Sequence, residues 1–149
     1  MTPLCTIGYE GCSIEEWVGR LVEQDVDVVV DVRAVPISRK HGFSKVRLAE
    51  RLRESGIDYV HYRELGNPRG LRDKLRTGWD FTEFAREFRS LLDEQEEVVE
   101  ELAQLASSRR ICLVCFEEDP ASCHRSIVAD QLIPALPGYD VRHLRHVST

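Results

Sequence analysis

Asp27-Val28-Val29-Val30-Asp31-Val32 is the stretch on which the fold turns. Three consecutive valines leave no alternation between an inside and an outside face. A strand here must be covered on both faces, as in a parallel sheet layered by helices. The same logic recurs on either side. Residues 4–7 form a short apolar run stopped by Gly8, which predicts a first strand ending in a turn. Ser13 with Glu16 three residues on has the form of a capping box, and Ile14, Trp17, Val18, Leu21 and Val22 follow at helical spacing. Downstream, Phe43 and Leu48 are placed as a hydrophobic staple around Ser44, the start of a second helix that Gly56 ends. Residues 57–62 predict a third strand, and the Gly, Asn and Pro within 63–70 predict a loop.

Residues 81–106 carry a helical pattern long enough for two helices or one bent helix. Residues 111–116 read as another buried strand. A final helix starts at Asp119-Pro120 or at Ser122 and stops near Pro134; residues 141–144 supply a last strand. Strand and helix alternate throughout. The expectation is a single α/β domain over residues 1–149: an open, mostly parallel sheet of about five strands with helices on both faces, a Rossmann-like three-layer arrangement.

With 42% hydrophobic and 31% charged residues, the 149-residue chain has an ordinary globular composition, which excludes disordered and fibrous classes. No apolar run approaches the ~20 residues of a membrane helix, so no membrane partner is expected. The opening Met1-Thr2-Pro3-Leu4-Cys5 lacks the basic start and apolar core of a secretory signal. Five cysteines at irregular spacings read as reduced thiols, and the protein as cytoplasmic. The net charge of −6 hides an asymmetry: residues 33–76 hold twelve basic and five acidic side chains, a local +7. A globally acidic chain does not coat a duplex, so nucleic acid is not the favoured partner, but the basic segment suits a small anion or a single strand.

In parallel sheets ligands bind outside the carboxyl ends of the strands, where helix N-termini also point. That rule singles out Gly8 and Tyr9, Asp31 and Arg33, Arg63 and Glu64, and Cys115 with Glu117. The richest segment is Cys115-Phe116-Glu117-Glu118-Asp119-Pro120-Ala121-Ser122-Cys123-His124-Arg125. It brings thiol, imidazole and guanidinium to one helix start, where the dipole favours anions and lowers a thiol pKa. Cys123 or Cys115 is the candidate nucleophile, with His124, Glu64 or Asp31 handling protons. Arg33, Arg39 and Arg125 are candidates to hold an anion, Arg39 from the basic loop Ser38-Arg39-Lys40-His41.

A structural reading competes at each position. Cys123 can pack as a small hydrophobe, Arg125 can pair with Glu117 or Asp119, and Asp31 with Arg33 can anchor a loop. Cys112 and Cys115 lie three apart in a strand and face opposite ways, so they make no dithiol. Zinc would need Cys115, Cys123, His124 and Cys5 or Cys12 gathered from separate strand ends, so no metal is assigned, and no cofactor is identified.

Thr6-Ile7-Gly8-Tyr9, Asp31-Val32-Arg33 with Pro36 and Ser38-Arg39, Phe43 with Lys45, Gly56-Ile57-Asp58-Tyr59-Val60-His61, Glu64-Leu65-Gly66, and Cys115, Glu117, Asp119-Pro120 and Cys123-His124-Arg125 together resemble the Domain of Unknown Function 488 family. The resemblance spans nearly the whole chain. It implies a compact α/β fold and a pocket built by Gly8, Tyr9, Asp31, Arg33, Arg39, Glu64, Cys115, Cys123, His124 and Arg125. It brings no reaction with it. Residues 67–79 correspond to a stretch that varies in the family, where substrate choice is least transferable.

Overall fold

A computed structural model describes residues 1–78 and 80–145; Trp79, in the variable stretch, lies outside the described residues. Five strands form one sheet: β1 (Thr2–Gly8), β2 (Val28–Asp31), β3 (Asp58–His61), β4 (Ile111–Cys115) and β5 (Tyr139–Leu144). Their order is β3-β2-β4-β1-β5, and every pairing is parallel. The expectation of a mostly parallel sheet is met by one that is wholly parallel.

The valine run behaves as its composition demands. Val28 and Val30 enter the core on one face of the sheet and Val29 the core on the other, each at most 1% exposed. Helices α1 (Ile14–Glu23) and α2 (Lys45–Glu54) cover the Val29 face through Trp17, Leu21, Leu48 and Leu52. Helices α4 (Phe81–Asp93), α5 (Glu96–Ser108) and α6 (His124–Leu132) cover the other through Phe84, Phe88, Leu102 and Val128, with α3 (Arg69–Arg76) beside α4. Each fully buried side chain of this kind contributes about 1.5–3 kcal/mol.

Local signals set the boundaries. Ser13 caps α1, accepting from the Glu16 N–H at 3.2 Å, while its hydroxyl donates to the Glu16 carboxylate at 3.0 Å. Ser44 precedes α2, with Phe43 and Leu48 both fully buried in one cluster. The 81–106 pattern resolves into two helices, α4 and α5.

Two expectations need correction. Residues 63–70 are not all loop: Arg63–Leu65 forms a 3-10 turn, and α3 starts at Arg69 with Pro68 as its N-cap. The last helix begins at neither Asp119-Pro120 nor Ser122. Asp119 caps only a 3-10 turn over Pro120–Ser122, and Cys123 then caps α6. No helix among the described residues is long and apolar enough to cross a membrane.

Candidate functional site

The connections after β1 and β2 run to the α1–α2 face, whereas the connection after β4, which lies between those strands, runs to the opposite face. Chains diverging from neighbouring strands open a crevice at their carboxyl ends. A cavity of about 310 Å³ lies there. Its walls include Tyr9 after β1, Arg33, Ser38 and Arg39 after β2, Cys115 and Glu117 at the end of β4, His124 on α6, and Asn67 and Arg72 from the β3–α4 connection.

One wall is a buried ion pair. Arg33 donates through Nε to both Asp31 oxygens at 2.9 and 3.1 Å and through Nη2 to Oδ2 at 2.7 Å. Its Nη1 donates to the Tyr9 hydroxyl at 3.1 Å and the Phe43 carbonyl at 2.7 Å. The Tyr59 hydroxyl donates to Asp31 Oδ2 at 2.5 Å. Burial opposes the charge on Arg33, but the hydrogen bonds and charge of Asp31 outweigh it and raise the guanidinium pKa. Burial, with Asp31 as acceptor and neighbouring charge, likewise raises the Tyr59 pKa. Asp31 is fully buried and engaged by both partners, so it holds the wall in place and does not face the cavity as a base. Tyr9 stacks on Phe43 at 4.4 Å between ring centres and meets Phe116 edge-on at 5.4 Å.

The opposite wall is the β4–α6 segment, drawn in by Arg125. This guanidinium is fully buried and donates to the Glu117 carbonyl at 2.5 Å, the Glu118 carbonyl at 3.2 Å and Cys115 Sγ at 3.1 Å. It does not line the cavity. The sequence placed Arg125 on a ligand, or in a pair with Glu117 or Asp119; it instead grips main-chain carbonyls and a sulfur.

Gly8 is likewise structural here. A Cβ at this position would run into the Glu117 carbonyl, a backbone atom that can move only with its loop. Gly8→Ala should therefore cost roughly 1–3 kcal/mol, as overpacking does. A parallel fall in the urea midpoint and in the reactivity of the Cys115 wall would confirm it; an unchanged midpoint would refute the close approach.

His124 is buried, and burial lowers its pKa to about 4 despite its bond to the Val32 carbonyl. The ring is therefore neutral at pH 7. Its Nε2 lies 2.6 Å from that carbonyl, which can only accept, so Nε2 carries the proton. Nδ1 keeps its lone pair and sits 3.9 Å from Cys123 Sγ. The sulfurs of Cys115 and Cys123, eight residues apart, lie against each other, with Cα atoms 7.3 Å apart, farther than a disulfide spans without backbone movement. Cys5, Cys12 and Cys112 are free and buried. Cys115 meets not Cys112 but the cysteine that caps α6. Cys115, Cys123 and His124, three of the residues weighed for zinc from the sequence, bring three potential metal-ligand atoms within 4.8 Å of one another, without Cys5 or Cys12. Burial pushes the Glu117 carboxyl up, against the pull of Arg125.

The structure thus brings Tyr9, Arg33, Arg39, Cys115, Glu117 and His124 to one cavity, with Cys123 directly behind Cys115. Glu64 is not among them. It is exposed on the 3-10 turn after β3 and lines a neighbouring groove of about 880 Å³ with Lys45, His61, Arg63, Arg69 and Arg72. Arg72 and Asn67 are the residues that sequence reasoning missed. Arg72 borders both cavity and groove; neither it nor Arg39 has an ion-pair partner among the described residues, and both are exposed. Asn67 Oδ1 is buried without a hydrogen-bond partner.

Fold and site together define a three-layer α/β protein with a polar pocket at the point where its strand connections diverge. The chain belongs to the DUF488 family: the family model described as "Domain of unknown function DUF488" matches residues 13–132, from the cap of α1 to the end of α6. No curated protein and no solved structure matches it.

Proposed function

We propose that the protein is an enzyme acting on a small anionic molecule, phosphorylated or nucleotide-like, held in the cavity at the strand carboxyl ends. The observation that carries this reading is the meeting of two exposed guanidiniums without an ion pair among the described residues, Arg39 and Arg72, with a sulfur, an imidazole and a carboxyl on the same walls. A guanidinium offers a fork of donors to phosphate or carboxylate. Arg33 and Tyr9 shape the pocket, their polar groups already engaged. Cys115, backed by Cys123, supplies the nucleophile. Glu117, whose raised pKa brings its proton nearer to use at neutral pH, and the free Nδ1 of His124 handle protons. The unpaired Asn67 oxygen is an acceptor for a ligand hydroxyl or amine.

A thermal-shift panel on reduced protein tests this, with phosphate, sulfate, nucleotides and phospho-sugars. A ligand at about a hundred times its Kd adds roughly 2.7 kcal/mol, a shift of a few degrees in a chain of this size. The parent should respond to at least one class and Arg72→Ala should not. A flat response across the panel would overturn the reading.

The basic groove favours a second reading, a non-enzymatic module for single-stranded nucleic acid or an acidic partner through residues 33–76. It adjoins the cavity at Ala34, Val35 and Arg72, with Lys45, Arg63 and Arg69 along it. That reading requires binding that falls steeply with salt and is indifferent to Cys115 and Cys123.

A further inference from the structure

Two sulfurs and an imidazole nitrogen, from Cys115, Cys123 and His124, lie buried within 4.8 Å of one another beside the cavity. Their spacing is that of ligands around an ion. A disulfide holds its Cα atoms about 4.4–6.8 Å apart, and those of Cys115 and Cys123 stand at 7.3 Å. Two sulfurs on one tetrahedral zinc, each about 2.3 Å from it, stand about 3.8 Å from each other, which suits the wider backbone. The histidine is prepared in the same sense. Its Nε2 is committed to the Val32 carbonyl at 2.6 Å, which leaves the Nδ1 lone pair 3.9 Å from Cys123 Sγ. A sulfur and a nitrogen on one tetrahedral zinc are about 3.6 Å apart. Ligating histidines are oriented in this way, one nitrogen donating to a carbonyl while the other meets the ion.

Arg125 adds an independent observation. It is fully buried and outside every ion pair among the described residues, yet its Nη1 donates to Cys115 Sγ at 3.1 Å. A guanidinium only donates, so this sulfur is set as an acceptor, the role that a metal-bound thiolate keeps.

We infer that Cys115, Cys123 and His124 form a binding site for one zinc ion, with two thiolates and His124 Nδ1 as ligands and the fourth position open to the cavity. Thiolate and imidazole ligands suit zinc, whereas magnesium and calcium take oxygen. Three protein ligands and one open position are the arrangement of catalytic zinc sites; structural sites close all four. Cys115 and His124 line the cavity and Cys123 does not, which puts the open position on the cavity side. Glu117, its carboxyl 3.4 Å from Cys115 Sγ, stands beside that position to accept a hydrogen bond from water held there. Loading balances: Zn²⁺ enters, two S–H protons leave to solvent, and the ion with two thiolates and a neutral imidazole carries no net charge. The site does not rest on the proposed function, but it changes one role within it. With zinc bound, Cys115 is a ligand, and the attacking group is the water on the ion.

The test uses reduced full-length protein freed of metal by a chelator, with zinc and cobalt(II) as probes. Competition against a chromophoric chelator should give one zinc per chain, and Cys112→Ser, outside the cluster, should match the parent. Cys123→Ser and His124→Gln should each bind at least about a hundredfold more weakly, since even an outer partner of a zinc ligand contributes about 10–100-fold. Cobalt(II) should show a sulfur-to-metal charge-transfer band and the intense visible bands of a four-coordinate ion, and azide entering the open position should shift them. If a variant fails to fold, the cobalt spectrum of the parent decides. A missing charge-transfer band, or zinc affinity unchanged in Cys123→Ser, would overturn the site; bands indifferent to azide would overturn its open position. Arg39→Ala/Arg72→Ala separates this site from the anion reading, because it should lose the response to anions and keep the parent's zinc affinity. A chain that binds zinc but no anion upholds the site and overturns the anion reading; one that binds anions but no zinc does the reverse.

Discussion

Replacing Asp31 with Asn should destabilise the protein by about 3–5 kcal/mol, the typical cost of breaking a buried ion pair by removing one partner. Asp31 is fully buried and Arg33 is 7% exposed, so solvent cannot replace the lost charge. Asn retains one acceptor oxygen, but it cannot neutralise a guanidinium whose other contacts are the Tyr9 hydroxyl and the Phe43 carbonyl. The Tyr59 hydroxyl also loses its charged acceptor. The control is Asp58→Asn, which breaks the exposed pair with Arg109 and should cost no more than about 1 kcal/mol. Urea unfolding of both variants measures the contrast. A loss below about 1 kcal/mol for Asp31→Asn would mean that the Arg33 wall does not depend on its counter-ion.

Acid should weaken the fold through His124. Its pKa is lowered from 6.5 to about 4, so below pH 6.5 the unfolded chain takes up a proton that the folded chain refuses. Stability contributed by the neutral ring is complete above pH 6.5 and falls as pH drops toward 4. The shift corresponds to about 3 kcal/mol lost across that window. Glu117 acts in the opposite sense. Its raised pKa means the folded chain binds that proton more tightly, which favours the folded state as pH falls and blunts the loss. Urea unfolding of reduced protein at stepped pH should show the decline, and His124→Gln, which can still donate to the Val32 carbonyl, should flatten it. An equal slope in the variant would assign the acid sensitivity to other groups.

The sheet was legible because its strands are buried on both faces. Val28-Val29-Val30 and residues 111–115 carry so little polar character that no other element suits them. The α1 cap was legible because Ser13 and Glu16 act within one turn. Helix α3 was hidden by Gly66, Asn67 and Pro68 just before it, and it buries no residue fully, so its apolar stripe is only Leu71 and Leu75. The start of α6 was misplaced because Asp119 and Pro120 form a genuine cap, but of a 3-10 turn, and a cysteine then serves where Ser would be expected.

At the site, the strand-end rule found Tyr9, Arg33, Cys115 and Glu117, because each sits within two residues of a strand terminus. It had no means of finding Arg72. That side chain reaches the cavity through the packing of α3 beside α4, a tertiary event without local signal. Nor does an Arg two residues past a thiol reveal whether it reaches for a ligand or is buried as a clamp. Charge alone suggested the former, and the carbonyls of Glu117 and Glu118 decide for the latter.

The most direct test of the central claim is a binding isotherm for the strongest stabilising phosphate or nucleotide, measured on reduced parent and on Arg39→Ala/Arg72→Ala. Each hydrogen bond to a charged group contributes about 1.5–3 kcal/mol, so losing both guanidiniums should weaken binding by roughly a hundredfold or more while leaving the thermal midpoint of the empty protein unchanged. Equal affinity in parent and double variant would contradict an anion site in this cavity.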